Sequence, residues 1–231
     1  MKAVAIILAR GGSKGIPNKN INKFCGKPLV EWTIIQAKNS KKINKVYLSS
    51  DSDKILKIGK KHKINLIKRP KIISGDRASS ESAVIHAIKN FHDFKTHPIV
   101  MLEPTAPLRK PNDIDNLINS FLKNKWDSGF TASKLIDFLI WERKKKNNYK
   151  SLNYNYKNRG QRQQNSRKSC FVENSLAYIF KPNIILKYKN RLGGKIGLTM
   201  NKFWQSFEID EKDDWDLVEN LFKRKIKQNG K

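Results

Sequence analysis

The sequence predicts an α/β protein built on a mostly parallel sheet with helices on both faces. Three observations predict it. Short runs rich in Val, Ile and Leu alternate with stretches of helical period. No apolar run approaches the ~20 residues of a membrane span. The length, 231 residues, suits one sizeable core.

The elements follow in order. Residues 2–9 (KAVAIILA), 45–50 (KVYLSS), 64–68 (INLIK) and 97–103 (HPIVMLE) read as buried parallel strands. Residues 28–40 read as a helix, with Val30, Ile34 and Ala37 on one stripe and Pro28 near its start. Residues 52–63 follow with Ser52 as N-cap, then 82–91, then 111–124, whose apolar face carries Ile114, Leu117, Ile118 and Phe121. After residue 134 the alternation stops. Residues 143–169 are polar and basic and read as an excursion from the sheet. Order returns at 170–180 (CFVENSLAYIF) and 206–210 (SFEID), both strand-like, and a helix over 213–226 closes the chain. Its acids come first and its cations last, as a helix dipole prefers. Trp32, Phe91 and Trp215 read as core, and His86, among apolar neighbours, as structural.

Forty-eight basic against 20 acidic residues give a formal charge of +28. Such a charge can signal nucleic acid. Here the cations are spread along the chain, and the densest runs, 143–150 and 223–231, read as a loop and a tail. That spread disfavours a nucleic-acid binder, and with neither a signal peptide nor a membrane span to read, the expected location is the cytoplasm. The start does not read as a signal peptide, since seven apolar residues are followed by RGGSKG. Cys25 and Cys170 are too few for a disulfide framework and lack metal-binding spacing.

The loop after the first strand carries the chemistry. ARGGSKGIPNKN, residues 9–20, places three glycines and three cations just past a strand end, where open α/β sheets bind ligands. Gly11, Gly12 and Gly15 allow close backbone approach, and Arg10 and Lys14 add charge for an anion. The same composition also suits an ordinary turn with a solvated rim. Neither GxxxxGK[ST] nor GxGxxG fits the spacing.

The residues resemble a family. ARGGSKGIPNKNI, GKPLVEWTI (26–34), SSD (49–51), EPTAPLR (103–109), ENSLAYIF (173–180) and FEID (207–210) occur in the order seen in CMP-sialic acid synthetases. The resemblance implies a Rossmann-like nucleotidyltransferase fold over residues 1–231, with a small excursion around 135–170 serving dimerisation and the sugar site. It implies transfer of CMP from CTP to the anomeric hydroxyl of a nine-carbon 2-keto sugar acid, with pyrophosphate released, Mg²⁺ as cofactor and a homodimer as assembly. Kdo and its 8-amino relative are the alternative acceptors, although Kdo-activating enzymes lack GGSKG.

By the same resemblance, Arg10, Gly11, Gly12, Ser13 and Lys14 bear on the triphosphate. Lys19 and Asn20 close the nucleotide pocket, and Arg69, Ser79 and Ser80 lie beside the cytosine. Ser79 and Ser80 equally suit a helix cap. Glu208 and Asp210 match the family's metal-binding acids. At i and i+2 on a strand they would share a face, and Mg²⁺ prefers such oxygen ligands. The catalytic set is Arg10, Lys14 and Asp210. The sugar side draws on Glu103, Thr105, Arg162, Gln163 and Tyr178, with Arg162 as carboxylate clamp and Arg159 and Arg167 as its alternatives. Glu103 stands where the family commonly has Gln, and Ser175 where it has Gly. A carboxylate at 103 would repel an acidic sugar unless it is protonated or meets a cation.

Overall fold

The first strand shows why the sheet is covered on both sides. β1 (Ala3–Leu8) is buried throughout. Ala3, Ala5 and Ile7 enter one core cluster, while Val4, Ile6 and Leu8 enter another. Period-two alternation sends them to opposite faces. The computed structural model describes residues 2–135, 138–158 and 170–227.

In chain order the further strands are β2 (Lys23–Phe24), β3 (Lys27–Pro28), β4 (Ile43–Ser50), β5 (Asn65–Lys68) and β6 (Ile99–Leu102). Then come β7 (Ser128–Leu135), β8 (Trp141–Lys145), β9 (Asn148–Ser151), β10 (Cys170–Phe180) and β11 (Ile196–Asn201). Seven of them form one sheet in the order β11-β7-β10-β6-β1-β4-β5. Every neighbouring pair is parallel except those of β10, which runs antiparallel to β6 and β7.

The helices are α1 (Leu29–Asn39), α2 (Asp53–Lys61), α3 (Ser80–Asn90), α4 (Asp93–Thr96), α5 (Asp113–Lys123), α6 (Pro182–Tyr188) and α7 (Lys212–Phe222). α1, α2 and α5 cover one face through residues such as Ile34, Ile55 and Leu117. α3, α4 and α6 cover the other through Val84, Phe94 and Ile185. None of the described helices is long and apolar enough to cross a membrane.

The chain departs from its sequence pattern in four places. Residues 128–135 and 196–201 are strands that carry no long apolar run. Residues 143–150 are not a loop: they lie in the β8–β9 ribbon, whose turn is closed by Asn147 with φ 59°. Residues 206–210 form no strand. The Ile209 N–H bonds to the carbonyl of Thr105 (2.8 Å) instead of a ladder partner, so the segment is extended but tied to a loop. Ser52 does precede α2, yet its side chain makes no cap hydrogen bond.

β10 also carries a bulge. Its register with β7 breaks between Glu173 and Tyr178. Within the break the Thr131 hydroxyl replaces a ladder partner, accepting the N–H of Ala177 (3.0 Å) and donating to its carbonyl (3.2 Å). Ser175 sits in the left-handed region with φ 47°. It keeps there the conformation for which glycine is the usual choice. Bulges gather beside sites because they re-aim side chains.

Candidate active site

Strand order decides where a ligand can sit. From β1 the chain moves outward through β4 and β5, then crosses back to set β6 on the other side of β1. That reversal is a topological switch point, where loops diverge and leave a crevice. The loops after β1, β5 and β6, with the segment before α7, border a cleft of about 350 Å³. Arg69 follows β5 and Glu103 follows β6, three strands apart. At the usual strand spacing the cleft therefore runs roughly 15 Å across the sheet edge.

The opening loop is held from beneath. The Gly11 N–H donates to Asp51 Oδ1 (2.8 Å), and a Cβ at Gly11 would press on the Cβ of Ser52 (2.9 Å). Asn20 Nδ2 donates to the Arg10 carbonyl (2.9 Å), which closes the loop. Arg10, Gly12, Ser13, Lys19 and Asn20 line the cleft. Gly11 lies behind it, and Lys14 stands at its rim with 77% of its side chain exposed. Arg10 Nη1 and Lys14 Nζ converge on Asp76, at 2.9 and 3.2 Å. The hydrogen bond from Lys14, supported by Arg10, holds the Asp76 carboxyl below the usual carboxylate range. An internal carboxylate thus marks the spot where the two cations jointly grip an anion.

At the β5 end, Arg69 is 6% exposed, and its Nε and Nη2 have no hydrogen-bond partner among the described residues. Burial pulls its guanidinium down, against the opposing charge of Asp51. Asn20 Oδ1 is likewise buried without a partner. Each such atom costs about 1–3 kcal/mol unless something bonds to it. Together they present donors and an acceptor to a polar ligand. Ser79 and Ser80 line the same wall. Ser79 Oγ also accepts from Ser82 N (3.2 Å), so it caps α3 as well.

The two ends of the chain meet at the cleft floor. Lys19, 7% exposed, donates to the Ile209 carbonyl (2.6 Å) and to Asp210 Oδ1 (3.1 Å). Asp214 fixes the Asp210 backbone by accepting the N–H groups of Asp210 (3.0 Å) and Glu211 (2.8 Å). Gly15 packs against this segment so closely that a Cβ would run into the Asp210 carbonyl. Gly15→Ala is expected to push loop and acids apart and lower kcat/KM about 10²-fold, with urea unfolding as the control for the fold.

Glu208 and Asp210 both line the cleft, with Asp210 largely exposed and Glu208 partly buried. Burial pushes the Glu208 carboxyl up, and the charges of Glu103 and Asp210 push the same way, against a hydrogen bond from Ser175. Among the described residues no third metal-binding side chain joins the pair. The donor set is all oxygen and mutually repelling. It suits a hard cation that takes its remaining ligands from phosphate and water.

The β6 end is built on Arg109, which is 1% exposed. Its guanidinium donates to the carbonyls of Leu176 and Glu103 (the latter 2.6 Å) and to Gln36 Oε1 (3.0 Å). Burial pulls it down to about 10, still charged at neutral pH, with Glu103, Asp113 and Glu208 opposing. Arg109→Met is expected to cost about 3–5 kcal/mol by urea unfolding, because it strands buried carbonyls and removes a buried cation from nearby acids.

Glu103 and Thr105 line the cleft, whereas Tyr178 lies behind it, donating from Oη to Glu173 Oε1 (2.6 Å). Arg162 and Gln163, with Arg159 and Arg167, lie outside the described residues. Sequence reasoning missed Asp51, Asp76, Arg109 and Arg191. Asp51 and Arg109 stood inside quoted motifs without a role, and Asp76 preceded the two serines by a few residues. Arg191 carried no signal.

A family profile described as cytidylyltransferase matches residues 4–230. The chain is 31% identical over 226 residues to post-translational flagellin modification protein B of Campylobacter coli, covering 95% of this chain and 94% of that protein. It is equally 31% identical over 226 residues to the CMP-N,N'-diacetyllegionaminic acid synthase of Campylobacter jejuni, with the same coverage. Among solved structures, a CMP:2-keto-3-deoxy-manno-octonic acid synthetase complexed with CTP superposes with a TM-score of 0.71 at 12% identity, over 98% of this chain and 100% of that one. At that identity the likeness concerns the fold.

Proposed function

The chain belongs to the cytidylyltransferase family, and from that premise we propose that it transfers CMP from CTP to the anomeric hydroxyl of a nonulosonic acid. The carrying observation is the contact between the opening loop and the acids near the chain's end, through Lys19 and Gly15. It brings Arg10 of the loop and the carboxylates of Glu208 and Asp210 to one cleft, which supports binding of a triphosphate with its cation there. The relative named for N,N'-diacetyllegionaminic acid supports a nine-carbon 2-keto sugar acid as acceptor.

In this reading the cytosine lies at the β5 end, where the unpartnered donors of Arg69 and the oxygen of Asn20 await polar edges. Arg10 and Lys14 take the triphosphate in place of Asp76. The sugar acid occupies the β6 end, beside Glu103 and Thr105. Its anomeric hydroxyl releases its proton to water while the oxygen bonds to the α-phosphorus and the bond from that phosphorus to the bridging β-phosphate oxygen breaks, so pyrophosphate leaves. The chain's own contribution is positioning and charge neutralisation. Glu208 and Asp210 would hold Mg²⁺, which when bound neutralises phosphate charge. Lys19 keeps Asp210 in place without occupying both of its oxygens.

A homodimer is part of the proposal. It is supported by exposed aromatic surface on the β8–β9 ribbon and beside it, including Trp141, Tyr149 and Tyr156, with Phe138 stacked near Phe203 (5.1 Å). Light scattering of the purified chain should give twice the monomer mass. The function itself is tested by incubating the protein with CTP, Mg²⁺ and a panel of legionaminic, pseudaminic, neuraminic and Kdo-type acids. Pyrophosphate release with a nonulosonic acid is expected. Release with Kdo alone would replace the acceptor, and release with none would end the proposal.

A further inference from the structure

Glu103 poses an electrostatic problem at the acceptor end. A sugar acid and a nucleoside triphosphate are both anionic, and Glu208 and Asp210 line the same cleft. A bare carboxylate at position 103 would oppose binding. The structure supplies a partner from a distant part of the chain. Arg191, in the loop between α6 and β11, reaches Glu103 Oε1 with Nη1 (3.3 Å) and Glu81 Oε1 with Nε (2.7 Å). Its guanidinium lies 4.6 Å from the centroid of the Tyr178 ring, a cation–π distance. All three charged side chains are mostly buried, with exposures of 18% for Arg191, 17% for Glu81 and 23% for Glu103.

This arrangement fixes Glu103 at both ends. Arg109 holds its carbonyl, while Arg191 and Ser80 Oγ (3.4 Å) hold Oε1. Oε2 takes no hydrogen bond from a described residue, and Glu103 lines the cleft. An ionised carboxylate only accepts hydrogen bonds. The oxygen left to a ligand is therefore an acceptor whose charge has already been offset.

We propose that Arg191 is a specificity-determining residue. It holds the Glu103 carboxylate in place and sets a positive charge beside it, so the acceptor end selects a sugar acid that presents an N–H or O–H donor there, such as an acylamino group. The inference rests on the nonulosonate reading above. Among the described residues Arg191 is the one cation bonded to the Glu103 carboxylate. It acts on the sugar through Glu103 and is a positioning residue, not a catalytic one.

The test is a double-mutant cycle on the full chain, read by pyrophosphate release with CTP and the best nonulosonic acid of the panel. Arg191→Met should raise the acceptor KM at least tenfold and leave the CTP KM within twofold. In a Glu103→Gln background the same change should move the acceptor KM less than twofold, because position 103, the one that faces the sugar, no longer carries a charge to be offset; Glu81 stays paired or unpaired alike in both backgrounds and cancels in the cycle. A merely structural role for Arg191 predicts the same loss in both backgrounds, and that result would overturn the proposal. So would an unchanged acceptor KM in Arg191→Met. If Arg191→Met does not fold, Arg191→Lys keeps the charge but not the two-pronged fit. Its acceptor KM should then rise at least threefold in the otherwise unaltered chain and less than twofold in the Glu103→Gln background. If the unaltered enzyme turns over no nonulosonic acid, the functional reading fails and this inference falls with it. Turnover with an unchanged acceptor KM sinks the inference alone.

Discussion

Arg10→Ala is expected to lower kcat/KM for CTP about 10³-fold with the fold intact, the scale of removing a charged donor from a phosphoryl-transfer site. The size follows from position. Arg10 leaves β1 at the switch point, lines the cleft and shares Asp76 with Lys14. Its ion pair is partly exposed and screened by solvent, so losing it should leave stability nearly unchanged. Urea unfolding of the variant should therefore overlay that of the unaltered protein while turnover collapses. Lys14→Ala should act in the same direction and to a smaller extent, because Lys14 stands at the rim. Normal turnover in Arg10→Ala would mean that the opening loop does not hold the phosphates.

Asp210→Asn is the second large effect. Asparagine keeps an oxygen for Lys19 Nζ and leaves the backbone bond to Asp214 in place, so the loop contact should survive. What disappears is one negative charge from the pair proposed to hold the cation. The expected result is a fall in kcat of about 10²-fold, together with a higher Mg²⁺ concentration for half-maximal rate. Added Mg²⁺ should restore part of the rate, since Glu208 remains. A variant with unchanged kcat and unchanged Mg²⁺ dependence would remove Asp210 from the cation site.

Much of the frame was legible because burial on both faces imposes a pattern that a short window can hold. β1 and β6 are continuous apolar runs, β4 and β5 carry short apolar centres, and the five long helices around them are periodic. β7 and β11 were not legible. SGFTASKL mixes small and polar residues, and Ser128, Thr131 and Ser133 are buried there through hydrogen bonds that only the folded neighbours supply. The ribbon over 141–151 was hidden by its charge, since lysines on an exposed two-stranded ribbon look like a solvated loop.

At the site, the glycine-and-cation loop was visible because its glycines and cations fall within twelve residues of one strand end. The partners that make it work were not. Asp51, Asp76, Arg109 and Arg191 each contribute one side chain from a different element, and a lone Asp or Arg has no local pattern.

By itself, then, the sequence determined the α/β layering, the ligand-bearing edge of the sheet and the family motifs along it. Those are properties of neighbours in the chain: apolar period, glycine freedom and charge at fixed offsets. Only the tertiary structure decided that Lys19 rests on Asp210, that Arg109 carries the β6 loop and that Arg191, one of 48 basic residues, meets Glu103. Coulomb and hydrogen-bond energies depend on distance in space. Arg191 and Glu103, 88 positions apart, and Lys19 and Asp210, 191 apart, acquire that distance only when the sheet brings its strand ends together.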